Sequence, residues 1–165
     1  MTDDSSPVRL LIVDDEEDLV TFLSHRLRKR GLDVTMALSG AEAVSAGNEL
    51  GFDVAVVDLK MPDMDGIAVI EHLKDAQPFM EVIMLTGHGS HDSAWEAGRL
   101  QAFRYLMKPY DFDELYDVIL AAADQRRRKM QAEFEGKLQE LMTSTTSPRD
   151  LIELSEQLRR EYEQD

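Results

Sequence analysis

Five polar residues in this chain stand where short apolar runs stop. Asp14 and Asp15 follow the run from Val8 to Val13, Asp58 closes Val54-Ala-Val-Val, Thr86 follows Val82 to Leu85, and Lys108 follows Leu106-Met107. Carboxylates that converge repel one another, and such a cluster raises a pKa or takes up a cation. A donor set of oxygens without His or Cys favours a hard ion, with Mg2+ the usual one beside phosphate. The Thr86 hydroxyl can donate to one oxygen of a transferring phosphoryl group, and Lys108 can put positive charge on another. Asp58 is then a nucleophile that forms an aspartyl phosphate.

The elements between these residues decide whether they can meet. Val8 to Val13 reads as a buried strand, and Leu19, Val20, Phe22, Leu23 and Leu27 follow at helical spacing. Acids open that helix and Arg26, Arg28, Lys29 and Arg30 close it, as the helix dipole favours, with Gly31 as its stop. Asp33 to Leu38 is a second strand. Ser39 and Glu42 form a capping box for a helix that ends before Gly51. Phe52 to Asp58 is the third strand and Gly66 to Ala76 the third helix. Met80 to Leu85 is the fourth strand, followed by a helix from about Ser90 to Leu100 that carries Trp95. Ala102 to Met107 is the fifth, and a fifth helix opens at Phe112 or Asp113. Five strand–helix repeats predict an α/β fold, a doubly wound parallel sheet with helices on both faces. Ligands of such sheets lie outside the carboxyl ends of the strands, where all five polar residues fall.

Bulk properties narrow the class. The chain has 165 residues, 43% of them hydrophobic, so it can bury a core. It has no cysteine, which removes disulfides and thiolate metal sites. The polar, acidic first seven residues lack the pattern of a signal peptide, and no apolar run reaches membrane-spanning length; a cytoplasmic protein is expected. The net charge of −15 is uneven: residues 1–125 hold 10 basic and 24 acidic side chains, residues 126–165 hold 8 and 9. The acidic part argues against nucleic-acid binding there.

Residues 8–124 resemble the receiver domain of two-component response regulators, chemotaxis-regulator-like and flavodoxin-like in fold. The resemblance rests on Val13-Asp14-Asp15, on Asp58-Leu-Lys-Met-Pro-Asp-Met-Asp-Gly66, on Leu85-Thr86-Gly87 and on Lys108-Pro109. It implies a five-stranded sheet of order 2-1-3-4-5. It implies that Asp58 accepts a phosphoryl group from a sensor histidine kinase or phosphotransfer protein, and that Asp14, Asp15, Asp58 and the backbone carbonyl of Lys60 form the Mg2+ site. Thr86 and Tyr105 would be the switch pair, and Lys108–Pro109 a cis peptide. His88 and Lys60 would flank the phosphoryl group. The face made by the fourth helix, fifth strand and fifth helix would change its partner preference, toward a downstream protein or a second copy. Catalysis would be limited to self-phosphorylation and autodephosphorylation. His88, His91 and Asp92 are read as solvent-facing rather than as a metal site.

A haloacid-dehalogenase-like phosphatase uses similar groups, but its nucleophile comes first, in an Asp-x-Asp signature. Here the acid pair comes first, and Lys60 stands two residues after Asp58. The last forty residues carry a further expectation. After residues 1–7 as a tail and 8–124 as the receiver, residues 125–165 read as a helical extension: continuation of the fifth helix, a linker over 143–147, and a final helix over 148–163. Met130, Phe134, Leu138 and Leu141 make one stripe; Leu151, Ile152, Leu154, Leu158 and Tyr162 supply the other. The simplest layout is a hairpin of the two stripes, used for partner binding or dimerisation. Arg126 to Lys129 reads as a solvated face; the alternative is a DNA-binding transcriptional regulator, or a fragment of one, acting through this extension.

Overall fold

The computed structural model describes residues 6–87, 98–144 and 147–163. Strands β1 (Arg9–Val13), β2 (Asp33–Ala37), β3 (Val54–Asp58), β4 (Glu81–Thr86) and β5 (Arg104–Met107) form one parallel sheet of order β2-β1-β3-β4-β5. Helices α1 (Glu17–Lys29), α2 (Gly40–Glu49) and α3 (Gly66–Ala76) follow the first three strands, and a long helix (Phe112–Ser144) follows the fifth. The expected order and the α/β class are both found. The helix expected over 90–100, with Trp95, and His88, His91 and Asp92 fall largely outside the described residues; residues 98 and 99 are helical.

Central strands are apolar on both faces because helices cover both. Leu10, Ile12, Val54, Val56, Ile83 and Leu85 pack with Val20, Leu23 and Leu27 of α1 and with Leu115 and Ile119 of the long helix. Leu11, Val13, Ala55, Val57, Val82 and Met84 pack with Val69, Ile70 and Leu73 of α3. The two-residue period of each strand thus sorts its side chains between two cores. Edge strands β2 and β5 have exposed positions that β3 and β4 lack.

The helix ends follow from their residues. Gly31, with φ +88°, lets α1 close: its N–H reaches the Arg28 carbonyl and that of Leu32 reaches Leu27. Ser39 Oγ accepts the Glu42 N–H at 3.1 Å, while the Glu42 carboxylate takes the N–H of Leu38 at 2.8 Å. Asp111 caps the long helix by accepting the N–H groups of Asp113 and Glu114.

Gln77, just after α3, ties three chain segments together. Its Oε1 accepts the Phe52 N–H at 2.8 Å, and its Nε2 donates to the carbonyls of Gly47 (2.8 Å) and Leu50 (2.7 Å). Those two carbonyls lie in and just after the last turn of α2, where the helix has no internal partner for them. Gln77→Ala is expected to cost about 2–3 kcal/mol, at roughly 1 kcal/mol for each bond lost. The check is a lower urea midpoint at an unchanged denaturant slope.

The chain divides into two compact units, Met1–Asp124 and Gln125–Asp165. The second contains the rest of the long helix and a last helix (Pro148–Glu163). The long helix continues through Gly136 to Ser144, beyond the 143 at which the linker was expected to begin; residues 145 and 146 lie outside the described set. Within this unit Phe134 meets Tyr162 edge-on, with centroids 5.6 Å apart, and Lys137 lies over the Tyr162 ring. Leu158 is buried. Ile152 and Leu154, expected in the stripe, are exposed, and the inward line is Leu151, Ser155, Leu158 and Tyr162. Arg126 is buried, so it is no part of a solvated basic face; Arg127, Arg128 and Lys129 are exposed. Among the described residues no helix is long and apolar enough to cross a membrane.

Candidate functional site

The carboxyl ends of β1, β3, β4 and β5 deliver the polar residues to one rim. Val13 pairs with Val57, Asp58 with Leu85, and Thr86 with Met107, so the ends are level across the sheet. Asp14, Asp15 and Asp58 each place a carboxylate oxygen within 4.8 Å of the others. Asp14 and Asp58 are 2% and 5% exposed, whereas Asp15 is open to solvent. An acid pair at a buried strand end with one member open is suited to a cation arriving from water.

Lys108 enters this cluster from β5. Its Nζ is 3.0 Å from Asp14 Oδ2, 3.2 Å from Asp58 Oδ2 and 3.8 Å from Glu16 Oε1. Three carboxylates against one ammonium leave the pocket short of positive charge. Burial raises the Asp58 pKa; the Lys60 N–H, bonded to Oδ1 at 3.1 Å, and Lys108 only partly oppose this, and Asp14 adds to it. Burial alone would lower the Lys108 pKa, but its bonds to Asp14 and Asp58 outweigh that and raise it. The hard-oxygen donor set and the charge deficit fit Mg2+.

Asp14, unlike a simple cap residue, divides its carboxylate: Oδ1 accepts the Glu16 N–H at 3.0 Å and Oδ2 takes Lys108. The Thr86 side chain is buried, and its hydroxyl donates to the carbonyl of Gly87 at 3.0 Å rather than to a carboxylate. Tyr105 is half-buried against the α3-side core. The Lys108–Pro109 peptide is cis. The structure therefore brings together Asp14, Asp15, Asp58 and Lys108. Thr86 stands at the same rim with its hydroxyl engaged elsewhere.

Three nearby residues were not singled out by the sequence. Glu16 adds a carboxylate beside Lys108. The buried Tyr110 hydroxyl has no hydrogen-bond partner among the described residues, and burial raises its pKa while Lys108 partly opposes this. Asp63 accepts the N–H groups of Gly40 and Ala41. Glu16 was readable, since it continues the acidic run; the other two depend on contacts between distant segments.

Comparison with known proteins gives consistent results. A family model described as the response regulator receiver domain matches residues 10–120. The transcriptional regulatory protein GlrR of Escherichia coli (strain K12) is 40% identical over 119 residues, 72% of this chain and 27% of that protein. The chain thus spans about a quarter of the length of the curated relatives it matches. A CheY-like response regulator receiver domain protein from Methanospirillum hungatei JF-1 has a TM-score of 0.72 at 29% identity, over 75% of this chain and 99% of that one. A structure described as adenylate cyclase from Rhodopirellula baltica has a TM-score of 0.74 at 32% identity. It is matched over 85% of this chain and 100% of its own, a length that reaches past the first unit.

Proposed function

The chain belongs to the response regulator receiver domain family, and from that premise we propose that Asp58 is its phosphoacceptor, fed by a sensor histidine kinase or phosphotransfer protein. The observation that carries this reading is the cluster itself: three carboxylates within 4.8 Å of one another, with Lys108 bonded to two of them.

In the proposed reaction an oxygen of Asp58 attacks the phosphorus of a phosphohistidine. The P–N bond breaks, the imidazole leaves, and an acyl phosphate remains. Hydrolysis by water returns the carboxylate and inorganic phosphate, so the chain resets itself without turning over a substrate. Asp14, Asp15, Asp58 and the Lys60 carbonyl would hold Mg2+, which when bound offsets carboxylate and phosphoryl charge. Lys108 pairs with a phosphoryl oxygen. Thr86 gives up the Gly87 carbonyl to donate to another, and Tyr105 moves into the space it leaves. The acyl phosphate carries about two negative charges, by analogy with other phosphorylated side chains, where the carboxylate it replaces carried one. That is enough to bias a two-state element.

The output is a change in protein contacts, with a downstream protein or a second copy. It acts through the β5 face with its neighbouring helices or through residues 125–165, and the setting is the cytoplasm. Acetyl phosphate with Mg2+ should label the chain with a hydroxylamine-labile phosphoryl group. No labelling, or a hydroxylamine-stable label, would sink the reading. Sizing the chain before and after labelling tests the dimer. A second reading is favoured by one fact: GlrR is described as a transcriptional regulatory protein. On that reading the extension, or a segment beyond it, binds DNA. A gel shift that weakens with salt would support it.

A further inference from the structure

We propose that Asp63 is a positioning residue for the cation site: it fastens the tip of the loop after β3 to the first turn of α2, and so fixes Lys60 against Asp58. The proposal rests on the metal reading given above. The loop runs from Leu59 to Gly66 and is closed at its base, where the Gly66 N–H donates to the Leu59 carbonyl. Near its start the Lys60 N–H holds Asp58 Oδ1. The carbonyl of the same residue is the one assigned to the cation. Leu59, Met61 and Met64 pack against the α3-side core, whereas Lys60, Pro62 and Asp63 between them are exposed.

Its tip is nevertheless tied down. Asp63 Oδ1 accepts the Gly40 N–H at 3.2 Å and Oδ2 accepts the Ala41 N–H at 3.3 Å. Negative charge at a helix N-terminus is favourable, and these N–H groups have no partner inside the helix. The bond from Gly40 lowers the Asp63 pKa, desolvation opposes it, and the bond from Ala41 lowers it again; the net shift is downward, so the side chain stays ionised at neutral pH. Next to it, a Cβ on Gly40 would stand 2.6 Å from Met64 Cβ: helix and loop touch closely at this point.

Neither helix needs Asp63 as its own cap. Ser39 caps α2 and Asp65 caps α3, the latter by accepting the Ile67 N–H at 3.1 Å. Asp63 is left to join the two segments. Groups that orient metal ligands are worth about 10–100-fold in affinity, and a tie three residues from the ligand belongs at the low end.

The test is calorimetric titration of Mg2+ into the whole chain, with each variant checked as folded by circular dichroism. Asp63→Ala should raise the Kd about tenfold. Asp63→Asn should recover much of the loss, because a carboxamide oxygen still accepts from a helix N-terminus. An unchanged Kd in Asp63→Ala, or equal loss in both variants, overturns the proposal while leaving the metal site standing. A wild-type chain that binds no Mg2+, or an Asp58→Ala chain that binds it as wild type does, overturns the metal reading and this proposal with it.

Discussion

Asp58→Asn is expected to abolish labelling by acetyl phosphate and, without Mg2+, to make the chain more stable at pH 7. The first effect is chemical: an amide of the same shape keeps an oxygen for the Lys60 N–H but is no nucleophile for phosphorus. The second is electrostatic. Burial is the largest influence on Asp58, and it lifts the folded pKa above the ordinary 3.8. A carboxyl with a raised folded pKa binds its proton more tightly in the native state than in the unfolded chain. As pH rises from about 3.8 through the raised value, the native state therefore loses stability relative to the unfolded one, and the deficit persists above. Asparagine has no such titration. The melting midpoint of the variant should exceed that of wild type at pH 7, and the gap should close toward pH 3. Added Mg2+ should stabilise wild type by mass action and the variant much less. Two opposing forces decide the sign, since Lys108 lies 3.2 Å from the carboxylate. A variant that melts below wild type at pH 7 would mean the Lys108 pairing outweighs burial. A persistent label would move the phosphoacceptor elsewhere.

The sheet was legible because its signals are local and repeated. Each strand is a short apolar run, each stops at a polar residue, and the alternation with helices leaves one common topology. The candidate site was legible for the same reason: parallel strands put their carboxyl ends on one rim, so Asp14, Asp58, Thr86 and Lys108 had to share it. What escaped depends on where distant segments meet. Gln77 reads as a polar residue before a proline, yet its side chain closes α2, 27 to 30 residues away. Asp63 reads as a turn former between Pro62 and Met64, and its partners belong to another helix. The direction of the Thr86 hydroxyl is a rotamer choice that no spacing encodes. In the last helix, five apolar residues offered more than one face. Tyr162 against Phe134 selects the line through Leu158 and leaves Ile152 and Leu154 outside.

Gly66→Ala is expected to be the most damaging single methyl group that can be added near the site. By helix propensity alone the change at the start of α3 would help, since alanine is favoured by up to about 1 kcal/mol inside a helix. Sterics decide otherwise. A Cβ at Gly66 would lie 2.5 Å from the carbonyl oxygen of Asp58 and 2.6 Å from Leu59 Cα. Both are backbone atoms, held by the sheet and by the Leu59 N–H bond to Leu85, so neither can rotate aside. Overpacking of this kind costs about 1–3 kcal/mol, occasionally more, and the upper end applies where backbone must move. Gly47→Ala in α2 is the control. Its Cβ would meet Leu73 Cδ2, the far end of a side chain rather than backbone, so a rotation of that side chain can relieve the contact. Urea denaturation should therefore rank the two variants, with Gly66→Ala clearly the less stable. Because the displaced atom belongs to Asp58 itself, acetyl phosphate labelling should also slow in Gly66→Ala at temperatures where it is fully folded, and stay near wild type in Gly47→Ala. A Gly66→Ala chain that unfolds at the wild-type midpoint and labels at the wild-type rate would show that α3 and the end of β3 are not held as closely as these distances require.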